Sequence, residues 1–354
     1  MEEDVYSQFP EFDNHTLVAR IDDTSVGLRG YIAIHRNRGA PSLGATRLWA
    51  YATEEEALRD ALRLSRLMSY KSALAGLPYG GAKATIIASP EALRDRAALF
   101  KAYGKKVNEL MGQFVTGTDV GVDEADLQAM KESTSFVIGS GVNSGYFTAQ
   151  GVYYGIQEAF RHLYGSPDIK GHTFAIQGVG KTGGELLQLL YDDAAQIVIA
   201  DINEERLREV QRTFPNIKIV APEEIHRQQV DVLCPCALSY PLNSKTLPQL
   251  DCAVVAGSAN NQLEHPGVAA QLVERGILYA PDYVINAGGI ISVVDQFVHH
   301  VHDARRIESN LHSIPESLRQ IFWRSTEERL PTAVIADRMA AEIINSPVRI
   351  KVTA

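Results

Sequence analysis

The sequence predicts an α/β protein of two domains, in which the second domain is built on a doubly wound parallel sheet. From residue 172 onward, apolar strands alternate with glycine turns and helices, as in parallel α/β sheets. A glycine-rich turn, Gly178-Val-Gly-Lys-Thr-Gly183, lies between two of these strands. With 354 residues, 45% of them apolar, the chain is long enough for two separate cores.

Composition and charge exclude several classes of protein. The net charge of −9 argues against a nucleic-acid-binding surface and against binding to anionic membranes. No apolar run approaches the roughly 20 residues that span a bilayer, and the acidic N-terminus does not resemble a signal peptide. Three cysteines do not make a disulfide framework and are expected to be small buried residues, so we expect a cytoplasmic protein.

The first domain, expected over residues 1–140, combines short strands with amphipathic helices. Thr53-Glu-Glu-Glu56 has the pattern of a capping box and predicts a helix that continues through Met68 to Lys71. The remaining predicted elements are strands at His15–Ile21, Gly30–His35 and 84–88, one helix over Glu91–Leu110, a strand and turn over Phe114–Gly121 that ends near Asp119, and a helix from Asp123.

Two lysines, Lys71 and Lys83, lie in a segment that has no carboxylate between Asp60 and Glu91. A buried lysine beside another cation has a lowered pKa and can act as a base near neutral pH. The alternative is a pair of surface lysines with solvated amino groups. Glycines at 80 and 81 favour the first interpretation, because they allow a backbone or a ligand to approach closely.

The glycine turn has the context of a Rossmann-type dinucleotide site. It follows the apolar strand Thr173–Gln177, and Asp201 ends the next strand about twenty residues later. Gly178, Gly180 and Gly183 permit a tight turn and close approach to a pyrophosphate at a helix N-terminus. The carboxylate would accept hydrogen bonds from ribose hydroxyls and repel a 2′-phosphate, which predicts NAD rather than NADP. The alternative is an α/β turn without a ligand.

The NAD-binding domain is expected over residues 141–325, after a junction rich in Ser, Gly and Asn between about 133 and 148. A C-terminal helical segment, residues 326–354, is expected to pack back on the first domain. Further elements are predicted as a helix at Thr148–Tyr164, strands at Val230–Leu233, Cys252–Ala256 and Ile277–Ala280, and helices within 303–345. Asp295, His299 and His302 form an incomplete ligand set, so we expect no metal.

Eight motifs together resemble the glutamate/leucine/phenylalanine/valine dehydrogenase family of amino-acid dehydrogenases, especially its leucine, phenylalanine and tryptophan branch. They are Leu43-Gly-Ala-Thr-Arg47, Met68-Ser-Tyr-Lys71, Gly80-Gly-Ala-Lys83, Thr116-Gly-Thr-Asp119-Val-Gly121, the glycine turn, Pro235-Cys-Ala-Leu238, Gly257-Ser-Ala-Asn-Asn-Gln262 and Asn286-Ala-Gly-Gly289. The resemblance implies NAD-dependent, reversible oxidative deamination of an L-amino acid to a 2-oxo acid and ammonia, in a homo-oligomer, with closure of a cleft between domains.

The resemblance also implies roles for individual residues. Lys71 would hold the substrate carboxylate, Lys83 would activate water, and Asp119 would exchange protons with the amino group. Other substrate-binding residues would be Leu43, Gly44, Met68 and Val293. Cofactor contacts would come from Gly178, Val179, Gly180, Lys181, Thr182, Gly183, Asp201, Thr148, Cys236, Ala237, Ala259, Asn261 and Asn286.

The substrate is expected to be an apolar amino acid, branched-chain or aromatic. Leu43 and Val293 stand where glutamate-specific members place polar groups, and an uncompensated carboxylate there would be costly. Departures from the family pattern are Ala82, Tyr146, Ser239 and Ser292; Ala82 would add a methyl group beside Lys83. Two alternatives are a catalytically silent NAD-binding regulatory homologue, and a 2-hydroxy-acid dehydrogenase, which usually pairs a histidine with a carboxylate.

Overall fold

The computed structural model describes residues 5–37, 39–193, 196–237, 240–301 and 303–346. These residues form two compact units. The first unit consists of the described residues of Met1–Val142 and Ala340–Ala354, and the second of those of Asn143–Met339. No helix among the described residues is long and apolar enough to cross a membrane.

The first unit contains a mixed sheet with helices on both of its faces. The strands are β1 (Leu17–Asp23), β2 (Leu28–Ile34), β3 (Ser42–Leu43), β4 (Thr46–Trp49), β5 (Gly80–Ile87) and β6 (Phe114–Val115). The helices are α1 (Glu54–Leu74), α2 (Pro90–Arg94), α3 (Arg96–Glu109) and α4 (Glu124–Lys131).

Strand β5 is the centre of the first sheet, whose order is β1-β2-β5-β3-β6, with β4 also paired to β5. It runs antiparallel to β2 and parallel to β3 and β4, and every one of its residues is buried. Because side chains alternate along a strand, β5 contributes to two cores. Ala82, Ala84 and Ile86 pack with Phe100 of α3 on one face, whereas Ile87 packs with α1 on the other.

Two local predictions for the first unit need correction. The segment Glu91–Leu110 is two helices, because Asp95 leaves the helical conformation with φ −139° and caps α3 by accepting a hydrogen bond from the Ala98 amide. Thr53 caps α1 as predicted, but the reciprocal bond of a capping box is absent among the described contacts of Glu56. Its carboxylate accepts from the amide of Ala52 instead of that of Thr53.

The second unit alternates strands and helices. Its strands are β7 (Thr173–Gln177), β8 (Gln196–Ala200), β9 (Lys218–Ile219), β10 (Val232–Pro235), β11 (Val254–Val255) and β12 (Leu278–Tyr279). Its helices are α5 (Ser144–Tyr164), α6 (Lys181–Asp192), α7 (Glu204–Thr213), α8 (Gly267–Glu274), α9 (Asp282–Ile285), α10 (Gly288–His299), α11 (Ala304–Leu311), α12 (Ser313–Glu328) and α13 (Thr332–Asn345), the last of which continues into residues of the first unit.

All strands of the second sheet are parallel, in the order β12-β11-β10-β7-β8-β9. The order reverses between β7 and β10, and in open α/β sheets ligands bind at the carboxyl ends of the strands beside such a switch point. The predicted α/β class, with a Rossmann-type domain in the second half of the chain, is confirmed.

Candidate active site

The pleat of β5 directs Lys83 toward helix α1. On the same face of the strand, the Gly81 amide donates to Ser69 Oγ at 2.9 Å and Thr85 Oγ1 donates to the Ala57 carbonyl at 2.9 Å. A Cβ on Gly81 would lie 2.0 Å from the backbone nitrogen of Ser69, so the helix reaches the strand only because this residue is glycine. Lys83 lies between these two contacts, and its side chain is 6% exposed.

Asp119 binds Lys83. The turn after β6 places Asp119 Oδ2 2.7 Å from Lys83 Nζ, and the same oxygen accepts a hydrogen bond from Arg47 Nε at 2.9 Å. Two cations therefore share one carboxylate oxygen in a largely buried position. Lys83 has no acidic neighbour in the sequence, and the fold supplies one from a distant turn.

Burial and neighbouring charges shift the pKa of both partners. Burial lowers the pKa of the Lys83 ammonium group, Arg47 lowers it further, and Asp119 offsets part of the effect. Burial alone would raise the pKa of Asp119, but the charges of Lys83 and Arg47 hold it well below its usual value. The pair thus combines an ionised carboxylate with a lysine that releases its proton more readily than an exposed one.

The predicted substrate residues of the first unit lie on the elements around Lys83. Met68 and Lys71 are half-buried in the last turns of α1, next to the close contact between Gly81 and Ser69. Leu43 is buried in β3, and a Cβ on Gly44 would meet the Ala82 carbonyl oxygen at 1.9 Å. Val293 is half-buried in α10 of the second unit.

Arg47, Asp60 and Tyr51 are residues to which the sequence analysis assigned no role. Arg47 Nη1 donates to Asp60 Oδ2 at 2.9 Å, and the Tyr51 hydroxyl donates to the same oxygen at 2.7 Å. Asp60 Oδ1 accepts from Arg63 at 2.8 Å. The sequence feature that could have indicated this cluster is Arg47 itself, because it is the one charged residue of the motif Leu43-Gly-Ala-Thr-Arg47.

The glycine turn of the second unit fits a dinucleotide. Gly178 has φ +89°, and a Cβ on Gly183 would lie 2.0 Å from the Gly178 carbonyl oxygen, so both positions require glycine. No side chain caps α6 at Gly180, where a Cβ would meet nothing within 4 Å. The first turn of this helix therefore offers amide groups and its positive end to a pyrophosphate.

Asp201 lies against this turn. Its Oδ2 accepts from the Val179 amide at 2.8 Å and its Oδ1 from the Asn203 amide at 2.8 Å. Each carboxylate oxygen can accept a second hydrogen bond, so both remain able to bind ribose hydroxyls. Lys181 is exposed and Thr182 half-buried at the start of α6.

The other predicted cofactor residues lie near the carboxyl ends of the parallel strands. The Cys236 amide donates to Gln177 at 2.8 Å, and Ala237 lies against Gly178. The Ala259 amide donates to Pro235, and Asn286 Nδ2 donates to Asn260 Oδ1 at 2.9 Å. Three more features belong to this set: the left-handed φ of +52° at Asn261, the buried Asn286 Oδ1 without a hydrogen-bond partner, and Thr148 Oγ1 next to Gly289.

The departures from the family pattern have structural explanations where the structure describes them. The Ala82 methyl group points into the core around Phe100, on the face of β5 opposite Lys83, so the expected methyl group beside Lys83 is wrong. Ser292 is buried and donates to the Gly289 carbonyl at 2.8 Å within its own helix. Tyr146 accepts a hydrogen bond from Gln150 at 3.1 Å, and Ser239 lies outside the described residues.

The three residues that the sequence offers as an incomplete metal-ligand set fall within the sequence of α10 or just after it, and Asp295 among them pairs with an arginine. Asp295 is buried and forms a bidentate ion pair with Arg306, with 2.8 Å between Asp295 Oδ2 and Arg306 Nη2. His299 is exposed, and His302 lies outside the described residues. Across the part of the chain that the structure describes, no three His, Cys, Asp or Glu side chains are grouped so as to hold a metal ion.

Two family models match the chain. One, described as Glu/Leu/Phe/Val dehydrogenase, dimerisation domain, matches residues 14–136; the other, described as Glutamate/Leucine/Phenylalanine/Valine dehydrogenase, matches residues 198–345. The chain belongs to the Glu/Leu/Phe/Val dehydrogenase family. It is an amino-acid dehydrogenase, and the identification made from the motifs is confirmed.

Three similar proteins align with nearly the whole of this chain. Valine dehydrogenase from Streptomyces coelicolor is 40% identical over 93% of this chain and 92% of its own. Leucine dehydrogenase from Geobacillus stearothermophilus is 39% identical over 96% of this chain and 93% of its own. The crystal structure of L-tryptophan dehydrogenase from Nostoc punctiforme is similar with a TM-score of 0.83 and 38% sequence identity. The similarity covers 94% of this chain and 96% of that one.

Proposed function

We propose that this enzyme catalyses the reversible, NAD-dependent oxidative deamination of an apolar L-amino acid to its 2-oxo acid and ammonia. The observation that carries the proposal is the buried ion pair between Lys83 Nζ and Asp119 Oδ2, at 2.7 Å. It joins the two groups that this reaction needs, a base for water and a carboxylate that exchanges protons with nitrogen.

The two groups divide the proton transfers. The glycine turn and Asp201 would hold NAD, which would supply the acceptor for the hydride from Cα of the amino acid. Neutral Lys83 then takes a proton from the water that adds to the imine carbon, and its lowered pKa makes the neutral form more accessible than in an exposed lysine. Asp119, which is ionised, accepts a proton from the ammonium group of the substrate before hydride transfer and returns it to the departing nitrogen; the reverse reaction uses the same transfers in the opposite order. Lys71 binds the α-carboxylate by charge.

The substrate side chain is proposed to be apolar, branched-chain or aromatic. None of the four residues proposed to bind it, Leu43, Gly44, Met68 and Val293, offers a charged or hydrogen-bonding side chain to a second carboxylate. The names of the relatives agree, since valine, leucine and tryptophan are all apolar amino acids.

The cofactor is proposed to be NAD. The glycine turn can hold the pyrophosphate, and Asp201 can bind the ribose hydroxyls while repelling a 2′-phosphate. Thr148, Cys236, Ala237, Ala259, Asn261 and Asn286 are proposed to complete the site. A homo-oligomer is also proposed, supported by the description of residues 14–136 as a dimerisation domain.

A substrate screen combined with one pair of variants tests the proposal. NADH formation is measured for the twenty amino acids at alkaline pH, and turnover is expected with at least one of leucine, valine, phenylalanine and tryptophan. Lys83→Ala should lose several orders of magnitude in kcat while NAD affinity stays nearly unchanged. Lys101→Ala is the control, because Lys101 is exposed and pairs with Glu132 on the surface.

Three outcomes would contradict the proposal. Tight NADH binding without turnover of any amino acid, or of the 2-oxo acids with ammonia, would favour a silent regulatory homologue. Reduction of a 2-oxo acid at the same rate with and without ammonium would favour a 2-hydroxy-acid dehydrogenase. Full activity in Lys83→Ala would remove the proposed base.

A further inference from the structure

We propose that Arg47, held by Asp60, is a positioning residue that fixes Asp119 and allows Lys83 to release its proton. The inference rests on the proposed function, since it assigns to Arg47 a role in the proton transfers of Lys83 and Asp119. Its test also measures the pKa of Lys83 directly, independently of enzyme turnover.

The geometry gives Arg47 two carboxylate partners at once. Its Nε donates to Asp119 Oδ2 and its Nη1 to Asp60 Oδ2, both at 2.9 Å. A guanidinium group is planar and rigid, so two bonds from different edges fix the position of Asp119 relative to α1. The side chains of Arg47 and Asp119 are each 20% exposed, and that of Asp60 is 14% exposed.

Asp60 is itself firmly anchored. Besides Arg47, it accepts hydrogen bonds from Tyr51 and from Arg63. Burial would raise the pKa of Asp60, but Arg47 and these hydrogen bonds hold it below its usual value, so it remains a charged anchor. The path from α1 to the reacting groups therefore runs Asp60, Arg47, Asp119, Lys83, each in contact with the next.

Several elements packed around Lys83 carry charged or titratable groups, and of these Asp119, Arg47 and Asp60 shift its pKa. The charged and titratable groups are Arg47 from β4, Tyr51 from the loop after β4, Asp60 and Lys71 from α1, His35 after the end of β2, and Asp119 from the turn after β6. Asp119 contacts Lys83 and Arg47 contacts Asp119, and the charges of these two residues have opposite effects on the pKa of Lys83.

The proton balance explains why a second cation is needed. If Lys83 were the sole cation at Asp119, loss of its proton would leave a buried carboxylate unpaired, which is strongly unfavourable. Arg47 keeps Asp119 paired whether Lys83 is charged or neutral, because arginine stays protonated. Deprotonation of Lys83 therefore leaves a paired carboxylate behind, and Arg47 also disfavours the charged lysine by repulsion.

Opposite shifts in two variants test this inference. Arg47→Met removes a cation near Lys83, so the acidic limb of the kcat/KM profile for deamination should move about one pH unit upward, lowering the rate about tenfold on that limb. Asp60→Asn removes an anion, so the limb should move downward. A loss of structure alone would not move the limb in opposite directions for the two variants.

The pKa of Lys83 is measured independently by trace labelling of the whole enzyme with acetic anhydride across pH, with the Lys83 peptide quantified by mass spectrometry. It should rise in Arg47→Met and fall in Asp60→Asn. Arg59→Met is the control, because Arg59 pairs with Glu55 at the surface of α1 and should leave labelling and activity unchanged. Arg47→Lys covers the case in which Arg47→Met does not fold: the limb should stay in place while kcat falls, because an ammonium group cannot bridge both carboxylates.

Two results would overturn the role of Arg47. One is identical pH dependence of Lys83 labelling in the wild type, Arg47→Met and Asp60→Asn. The other is full kcat in Arg47→Lys, which would show that bridging is dispensable. If Lys83→Ala remains fully active while the labelling shifts occur as expected, then the proposed function fails and the electrostatic effect of Arg47 on Lys83 stands.

Discussion

Acid should destabilise the first unit through two buried histidines, His15 and His35. The Asp13 amide donates to His15 Nδ1 at 3.1 Å, so Nε2 carries the hydrogen and lies 3.1 Å from the Leu62 carbonyl. His35 Nε2 lies 3.0 Å from Asp13 Oδ2, and its Nδ1 is buried without a partner. A second proton on either ring would put a donor where no acceptor is available, so the fold favours both neutral forms.

The size of the effect follows from the pKa values. Burial lowers the pKa of each histidine from 6.5 to about 4, and neighbouring positive charge adds to the shift at His35. Between these values the unfolded chain binds more protons than the folded one, so stability is complete above pH 6.5 and falls as the pH drops toward 4. At pH 5 each histidine costs about 2 kcal/mol relative to pH 7.5, or about 4 kcal/mol for the pair.

Urea unfolding at fixed protein concentration, followed by circular dichroism at several pH values from 7.5 to 5, measures this loss. His35→Gln keeps a donor for Asp13 and removes the titrating ring, so its loss between pH 7.5 and 5 should be about 2 kcal/mol smaller than that of the wild type. His265→Gln, at an exposed position of the second unit, should match the wild type. The comparison cancels the contributions of His162 and His226, whose pKa values burial also lowers. An unchanged pH dependence in His35→Gln would refute the reasoning.

Two substitutions test other parts of the structure. Asp201→Ala removes a charged hydrogen-bond acceptor at the glycine turn, so it should weaken NAD binding by about 2 kcal/mol and relax the discrimination against NADP. The expected increase in Kd is about 30-fold, measured by NADH fluorescence titration, and a preference of the wild type for NADP would contradict this role of Asp201. Ala82→Gly should lower the free energy of unfolding in urea by about 1 kcal/mol and leave kcat unchanged, because the methyl group packs in the core; a loss of kcat at unchanged stability would place it in the site.

The sequence predicts most accurately where the signal is local. The strand at Thr173–Gln177 has the predicted bounds, because apolar runs between turn residues specify short buried strands. The glycine turn could also be predicted, since the backbone conformation at Gly178 and the close contact at Gly183 both require glycine. The break at Asp95 was missed because the apolar pattern of α2 and α3 continues across it, and only the cap geometry distinguishes two helices from one.

The electrostatics of the candidate site were not predictable in the same way. Asp119 and Arg47 are far from Lys83 in the sequence, and nothing local indicates that one carboxylate oxygen would bind both cations. The lowered pKa of Lys83 was expected from a second lysine, Lys71, whereas the structure identifies Arg47 as a cation that contributes to it. Pairings of this kind depend on strand order, which brings β4 and the turn after β6 to the same side of β5.

The alternation along β5 links the stability of the first unit to the position of its base. Ala82 and Ala84 enter the core beside α3 while Lys83, between them, faces α1 and Asp119. A core has discrete packing arrangements and little free volume, so the backbone that carries Lys83 cannot shift without disturbing side chains on the opposite face. A lysine on a central strand is therefore held more precisely than one on a loop, which suits a base whose pKa depends on its 2.7 Å contact with Asp119.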